Sequence, residues 1–217
     1  MTIIKICGIK TLPDALAAIE AGADILGFNF YPKSVRFIET DACAHITSVL
    51  RRDHPHIRLV GVFVNAPVEA VKNILVTCSL DLAQLHGDET PETVSAFGGR
   101  AFKAVRLSTD FDTDARMVTD FAGSRRDAEP AILVDASVEG AYGGTGVTAD
   151  WSAAAILACR HPLLLAGGLN PDNVAAAVRQ VRPWGVDAAS GVEAGPGSKD
   201  AGRMKAFVQA VHSESRK

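Results

Sequence analysis

The chain has 217 residues, a formal net charge of −3 at pH 7 and a hydrophobic fraction of 47%. This length suffices for one large domain with a real core, and the composition is typical of a soluble globular protein. The charge gives no reason to expect nucleic-acid binding, since the paired arginines Arg51-Arg52 and Arg125-Arg126 lack interleaved aromatic residues. No apolar run is long enough for a signal peptide or a membrane span. We therefore expect a cytoplasmic protein without nucleic-acid or membrane partners.

The cysteines give no sign of a disulfide framework or a metal site. They are Cys7, Cys43, Cys78 and Cys159. They lie far apart, form no CxxC pair and have no histidine at metal-ligand spacing. The only close histidines, His54 and His56, flank a proline that disfavours a shared ligand face. The sequence thus predicts reduced thiols and no structural metal.

Short β-branched runs alternate with alanine-rich helical segments from end to end. The predicted strands are 3–7, 25–30, 59–64, 82–85, 102–106, 131–135, 163–166 and 185–188. The predicted helices are 12–21, 41–51, 67–77, 91–97, 113–121, 149–159, 171–181 and 199–212. Several helices begin with a proline in the first turn, as at Thr90-Pro91 and Asn170-Pro171.

This alternation predicts an α/β fold with parallel strands and helical crossovers, which is either a doubly wound sheet or a (β/α)8 barrel. Eight strands correspond to about one per 27 residues, close to a minimal βα unit. The count of eight, with no composition break between halves, favours a single-domain (β/α)8 TIM barrel over residues 1–217. An open sheet is the alternative. The fifth unit is the weakest, because residues 110–129 are polar and their helix is poorly marked.

Barrel enzymes carry their chemistry where strands end and βα loops begin. The predicted strand ends are rich in polar groups and glycine, which a purely structural face would not be. They are Cys7-Gly8, 29–36, Asn65, 84–87, Arg106, Asp135, Gly167-Gly168 and 187–193.

Three glycine-containing loops follow the last three strands and predict a phosphate-bearing ligand. They are 143–146, Gly167-Gly168 and Ser190-Gly191. Glycine permits positive φ and close approach, so backbone N–H groups can converge on an anion. The usual phosphate site of a barrel lies after strands seven and eight. The absence of GxxxxGK[ST] and GxGxxG patterns disfavours a nucleotide-binding loop.

Two strand ends supply candidate catalytic groups. Alternation puts Lys5 and Cys7 on one face of the first strand and Ile4 and Ile6 on the other. Because helices cover the outside of a barrel, Lys5 and Cys7 should point inward, and the same argument points Asp135 inward. A thiol and a carboxyl group across a pocket suit a general base and a general acid, with Lys5 helping to stabilise the thiolate. A core cysteine and a loop-capping aspartate are the structural alternative.

Eight runs stand in this order along the chain: KICGIK, GFNFYPKSVR, GVFVN, QLHGDE, ILVDA, GGTG, LLAGGL and ASGVE. Together they resemble the phosphoribosylanthranilate isomerase family of tryptophan biosynthesis, from Lys5 to about Asp200. The pair of KICGI and YPKSxR is quite specific to that family. The resemblance implies a cofactor-free, metal-free isomerase of the aldose–ketose type. Its reaction is the Amadori rearrangement of N-(5-phosphoribosyl)anthranilate to 1-(2-carboxyphenylamino)-1-deoxyribulose 5-phosphate, the third step counted from anthranilate-forming chemistry.

The resemblance also implies site residues. By motif, Cys7 is the general base, Asp135 the general acid and Arg36 the group that holds the anthranilate carboxylate. The implied phosphate-binding residues are Gly144, Gly146, Gly167, Gly168, Ser190 and Gly191. Gln84 and His86, in the family's QLHG motif, are expected to line the pocket, with structural hydrogen bonding as the alternative. Asp187, at the last strand end, is expected to contact substrate, with a role in bracing the phosphate loop as the alternative. Ala188-Ala189 stands where the family commonly has a further serine, so one phosphate contact is expected to be missing.

Other functions leave different patterns. An indole-glycerol-phosphate synthase would need a catalytic lysine and glutamates at strand ends. A bifunctional isomerase that also accepts the aminoimidazole carboxamide phosphoribosyl substrate of histidine biosynthesis would need a second AGG-like loop, which residues 65–67 and 86–88 lack. A non-catalytic phosphosugar-binding barrel would keep the glycine loops without needing Cys7 and Asp135.

Lys103 could point inward beside Val105 or form an internal ion pair. The expected partner is a small phosphosugar; a monomer and a homodimer both remain open.

Overall fold

The computed structural model describes residues 1–107, 111–122, 129–135 and 151–215. Its barrel strands are β1 (Ile3–Cys7), β2 (Ile25–Asn29), β3 (Arg58–Phe63), β4 (Leu82–Leu85), β5 (Ala101–Arg106), β6 (Ile132–Asp135), β7 (Leu163–Ala166) and β8 (Gly185–Ala188). The helices are α1 (Leu12–Ala21), α2 (Thr40–Asp53), α3 (Val68–Thr77), α4 (Pro91–Ser95), α5 (Phe111–Ala122), α6 (Ser152–Ala158), α7 (Val174–Val181) and α8 (Ala201–Ser215). Among the helices of these ranges, none is long and apolar enough to cross a membrane.

The strands β1 to β8 form a closed barrel in which each is hydrogen-bonded to the next. All these pairings are parallel, and β8 closes against β1 with Lys5 aligned to Asp187. Each strand agrees with its predicted range to within one residue at either end. The predicted (β/α)8 barrel is confirmed, and the open-sheet alternative is excluded by the β1–β8 pairing.

Side chains alternate between two hydrophobic layers. Those facing the barrel interior pack together and include Ile25, Val60, Leu82, Phe102, Leu133 and Leu164. The layer between strands and helices includes Ile4, Ile6, Ile132 and Val134, as the alternation predicted. Burying one such aliphatic side chain stabilises the fold by roughly 1.5–3 kcal/mol. These two layers fix which residues at each strand end point into the mouth of the barrel.

The polar fifth unit does contain a helix. Within α5, Val118 and Phe121 are buried against the barrel. A few well-spaced apolar residues suffice, because the barrel wall supplies the rest of the packing surface. The predicted helix at 113–121 is confirmed and is longer at both ends.

The predicted starts of the last two helices are wrong. The segment from Asn170 to Asn173 is a turn, in which the Asn173 side chain accepts from the Asn170 N–H and the Asn170 side chain from Asp172 N–H. These side-chain bonds compete with the helix, so α7 begins at Val174. The last helix begins at Ala201 because Lys199 belongs to a small hairpin.

This hairpin was not predicted. A 3₁₀ turn at Ser190–Val192 follows β8, and strands β9 (Glu193–Gly195) and β10 (Ser198–Lys199) pair antiparallel after it. The hairpin therefore lies directly after the predicted phosphate loop, at the carboxyl end of the barrel strands.

Lys103 does not point into the barrel. Its neighbours Phe102 and Ala104 face the interior, so alternation places Lys103 on the helix side. Its ammonium group donates to the Gly87 carbonyl at 2.7 Å and lies 3.4 Å from the Glu89 carboxylate. The inward prediction is wrong, and the predicted alternative of an ion pair is confirmed.

Candidate active site

Cys7 ends β1 above a buried ion pair. Lys5 Nζ lies 2.7 Å from Asp187 Oδ1, and the Lys5 side chain is wholly buried. Burial alone would lower the pKa of Lys5, but the Asp187 carboxylate, with Cys7, raises it above its ordinary value. Lys5 therefore stays charged inside the barrel and keeps a positive charge near the thiol.

Burial dominates the protonation of Cys7. It raises the pKa of the thiol above its ordinary value, and the Lys5 and Lys199 ammonium groups offset only part of this effect. The Asp187 carboxylate adds to the increase. The expected help from Lys5 is present but is outweighed by desolvation, so the ligand-free site holds mainly the thiol at neutral pH.

Two glycines make room around the thiol. Gly27 is aligned with Cys7 in the β1–β2 pairing, and a Cβ there would lie 2.9 Å from Cys7 Sγ. Gly8 adopts a φ of +79°, and a Cβ on it would collide with Cδ of Arg36. The Cys7-Gly8 sequence thus places a thiol at the strand end and an arginine side chain against the next residue.

Arg36 comes from the loop between β2 and α2 and is held by Glu193. Its Nε and Nη2 donate to the two carboxylate oxygens at 2.7 and 2.8 Å. These bonds raise the pKa of Arg36 further, and Cys7 contributes in the same direction. The guanidinium is therefore a fixed positive group beside the thiol.

His86 and Asp135 lie together at the opposite part of the mouth. Both line a cavity of about 480 Å³ that reaches α5 at Met117 and Phe121 and does not include Cys7 among its lining residues. Burial lowers the pKa of His86 despite the opposing effect of the Asp135 carboxylate, so its imidazole is neutral at neutral pH. Gln84 Nε2 lies 3.0 Å from His86 Nδ1, which fixes the ring orientation.

The side chain of Gln84 has a buried acceptor atom. It lies on the inner face of β4, and its Oε1 is buried without a hydrogen-bond partner among the described residues. A buried amide oxygen without a partner costs about 1–3 kcal/mol, so this position favours a ligand or water donor. His86 thus lines the cavity and Gln84 bonds to it from the inner face of β4, and their contact with substrate stays a prediction.

The loops after β7 and β8 touch each other. Gly167 and Gly168 both adopt positive φ, and a Cβ on Gly191 would overlap the carbonyl oxygen of Leu169. This contact brings Gly167, Gly168, Ser190 and Gly191 into one region at adjacent strand ends. The other two predicted phosphate residues, Gly144 and Gly146, lie outside the described residues.

A family model described as N-(5'-phosphoribosyl)anthranilate (PRA) isomerase matches residues 4–210 of this barrel. The chain belongs to the phosphoribosylanthranilate isomerase family. It is 46% identical over 208 residues to the N-(5'-phosphoribosyl)anthranilate isomerase of Magnetococcus marinus, covering 96% of this chain and 94% of the relative.

Solved structures of the phosphoribosylanthranilate isomerase family agree with the fold. The enzyme from Thermotoga maritima is 40% identical and superposes with a TM-score of 0.86, covering 98% of this chain and all of the other. A second isomerase structure, in complex with reduced 1-(o-carboxyphenylamino)-1-deoxyribulose 5-phosphate, is 38% identical with a TM-score of 0.83, over 98% of this chain and all of the other. The resemblance in the sequence motifs is therefore confirmed as family membership.

Within this isomerase-family site, sequence reasoning missed Glu193 and Lys199. Glu193 binds Arg36, and Lys199 Nζ donates to Glu193 Oε1 at 2.7 Å. The glycine of the run ASGVE indicates the phosphate loop, and its final glutamate is the signal that could have indicated a partner for an arginine in a neighbouring loop. Among the described residues, no group of three or more His, Cys, Asp or Glu side chains is placed to hold a metal ion.

Lys5→Met is expected to destabilise the fold by about 3–5 kcal/mol, because it leaves Asp187 buried without its partner. Lys5→Met combined with Asp187→Leu should recover most of this loss, since both charges are then removed. Urea unfolding measures both. Lys72→Met is the control, because Lys72 pairs with Glu69 on the surface and should change stability by less than about 1 kcal/mol. A Lys5→Met protein as stable as the control would contradict the importance of the pair.

With the predicted acid removed in Asp135→Asn, a Cys7 thiolate base predicts that the residual kcat/KM rises with pH through neutrality, because burial raises the pKa of Cys7. The midpoint should lie above that of an unperturbed cysteine. The difference in thiolate absorbance between a Cys159→Ser protein and the same protein carrying Cys7→Ala isolates the Cys7 titration and should give the same midpoint, whereas burial also raises the pKa of Cys43 and Cys78. A residual activity of Asp135→Asn that is flat from acidic to alkaline pH would argue against a thiolate base.

Proposed function

We propose that the chain catalyses the Amadori rearrangement of N-(5'-phosphoribosyl)anthranilate, with Cys7 as general base and Asp135 as general acid. The observation that carries this proposal is the close contact between Gly8 and the Arg36 side chain. There the Arg36 side chain packs against the residue that follows Cys7, so a carboxylate receptor and a base share one strand end. A substrate held at its anthranilate carboxylate by Arg36 would place its sugar near the thiol.

The reaction needs one acid and one base and no external nucleophile. Asp135 in its acid form donates a proton to the furanose oxygen, the C1–O bond breaks, and a protonated imine forms. The positive nitrogen acidifies the C2 proton, which the Cys7 thiolate removes to give an enolamine. Tautomerisation gives the ketone, so substrate and product are isomers and no electron acceptor is required.

The remaining site residues hold the two ends of the substrate. Arg36 suits the planar carboxylate because a guanidinium offers paired donors. The region of Gly167, Gly168, Ser190 and Gly191, with Gly144 and Gly146, would take the phosphate. Gln84 and His86 would line the sugar between these ends. Asp187 would face it from below while it stays bound to Lys5.

The proposed chemistry also supports a domain organisation and a cellular location for the protein. A thiol base must be reduced, which fits a cytoplasmic enzyme. The barrel closes β8 onto β1, so residues from both ends of the chain share one sheet. We therefore propose one catalytic domain over residues 1–217.

The test is the loss of anthranilate-type fluorescence when freshly generated phosphoribosylanthranilate is mixed with the purified protein. We expect catalytic turnover, and none with the aminoimidazole carboxamide phosphoribosyl substrate of histidine biosynthesis. A folded protein that binds the reduced product analogue without turnover would overturn the proposal in favour of a phosphosugar-binding barrel. Turnover of both substrates would favour the bifunctional alternative.

A further inference from the structure

We propose that Glu193, supported by Lys199, is a positioning residue that fixes which edge of the Arg36 guanidinium meets the substrate carboxylate. This inference rests on the proposed function, because it concerns the carboxylate end of the same substrate. It starts from the pairing across the mouth of the barrel, where Arg36 on the β2 loop binds Glu193 on the hairpin after β8.

The pairing uses one defined edge of the guanidinium. Glu193 accepts from Nε and Nη2 of Arg36 at 2.7 and 2.8 Å. A guanidinium has five N–H groups, which form two edges able to bind a carboxylate in a bidentate manner. With the Nε–Nη2 edge occupied, the Nη1–Nη2 edge at the end of the side chain remains for a second carboxylate. The substrate carboxylate can therefore bind only one edge of the Arg36 guanidinium in a bidentate manner.

Glu193 is itself held rigidly. Its side chain is only 4% exposed, and Lys199, which is wholly buried at its side chain, donates to Oε1 at 2.7 Å. The Gly197 N–H donates to Oε2 at 3.2 Å. Burial would raise the pKa of Glu193, but the bonds from Arg36 and Lys199 lower it below its ordinary value. The carboxylate is thus ionised and has little freedom to rotate.

The charges leave the cluster attractive to an anion. One carboxylate is shared by two cations, Arg36 and Lys199, so the three side chains carry a net positive charge. Glu193 can therefore orient Arg36 without cancelling its attraction for a carboxylate.

The cluster also connects the two ends of the substrate site. Lys199 Nζ donates to the carbonyl of Ala189 at 3.0 Å, directly before Ser190 of the predicted phosphate loop. On the other side, the hairpin packs closely on the Arg36 loop, since a Cβ on Gly197 would lie 2.8 Å from the Val35 carbonyl oxygen. Because Glu193 bonds Arg36 directly, whereas only Lys199 bonds the Ala189 carbonyl, a change at Glu193 should affect binding at the carboxylate end first.

Glu193→Gln tests the proposal through two ligands. One is reduced 1-(2-carboxyphenylamino)-1-deoxyribulose 5-phosphate, and the other is its phenylamino analogue without the carboxylate. A glutamine cannot accept from both Nε and Nη2, so binding of the carboxylated ligand should weaken about tenfold. Binding of the analogue should not change. If Glu193 contributed only its charge, removing it would tighten the carboxylated ligand, which is the opposite sign and would overturn the proposal.

A double-mutant cycle shows whether Glu193 acts through Arg36. In an Arg36→Ala background, Glu193→Gln should cause no further loss of preference for the carboxylated ligand. The matched control is Glu214→Gln, which removes a bidentate pair with Arg179 on the outer helices and should leave both affinities unchanged. Should Glu193→Gln fail to fold, Glu193→Asp keeps the charge but is shorter, and should show the same selective loss.

Binding of the two ligands to the parent protein distinguishes a failure of the proposed function from a failure of the inference about Glu193. If it binds both ligands equally, the assigned role of Arg36 fails, and the role of Glu193 fails with it. If the parent prefers the carboxylated ligand and Glu193→Gln keeps the full preference, only the inference about Glu193 is overturned.

Discussion

Cys7→Ala is expected to lower kcat for phosphoribosylanthranilate isomerisation by about 10²–10⁴-fold, the usual contribution of one general base. The side chain lost is the group proposed to remove the C2 proton, and the other three cysteines lie on or directly after helices rather than on a barrel strand. Affinity for the reduced product analogue should stay close to that of the parent, because Arg36 and the phosphate loops are unchanged. Fluorescence-detected turnover and equilibrium binding measure the two quantities separately.

The other cysteines supply matched controls. Cys159 is exposed, so Cys159→Ala should keep full activity. Cys43 is buried between helix and barrel, so Cys43→Ala should cost stability while kcat is retained. Cys7→Ser keeps the approximate shape but offers a much weaker base, and it should resemble Cys7→Ala in kcat. Turnover that survives in both Cys7 variants would move the base to another strand end.

Much of the fold could be predicted because its determinants are local. A strand has a side-chain period of two, so the aliphatic faces of β1 and β6 could be assigned to the helix layer from four or five residues each. That assignment sends Cys7 and Asp135 to the interior side. The parallel order followed from strict alternation of strands and helices, and barrel closure then brought the strand ends together.

The determinants that escaped prediction are distant in sequence or depend on burial. Arg36 and Glu193 are 157 residues apart, and the hairpin that carries Glu193 has no strong strand pattern of its own. Gly27 reads as an ordinary strand glycine until the β1–β2 pairing places Cys7 Sγ opposite it. The direction of the Cys7 pKa also depends on burial, since the favourable charge of Lys5 is visible in the sequence but desolvation is not.

Asp135→Asn is expected to lower kcat by about 10²–10⁴-fold, because asparagine keeps the shape of the side chain but has no acidic proton for the ring oxygen. His86 lies beside it and cannot take over at neutral pH, since burial lowers the pKa of His86 and leaves its imidazole neutral. Binding of the reduced product analogue should be nearly unchanged. Turnover and binding are measured as for the Cys7 variants.

Asp88→Asn is the matched control for this variant, because Asp88 lines the same cavity but has no proposed part in the reaction; its carboxylate accepts a bond from Asn65 at 3.1 Å. It should keep a kcat within a few-fold of the parent. Parent-like turnover in Asp135→Asn would remove Asp135 from ring opening. If activity fell equally in both variants, a general change of charge in the cavity would explain the loss better than a proton donor at one position. A loss confined to Asp135→Asn, with binding intact, would support the carboxyl group as the acid, because the amide keeps the shape of the side chain but cannot supply an acidic proton.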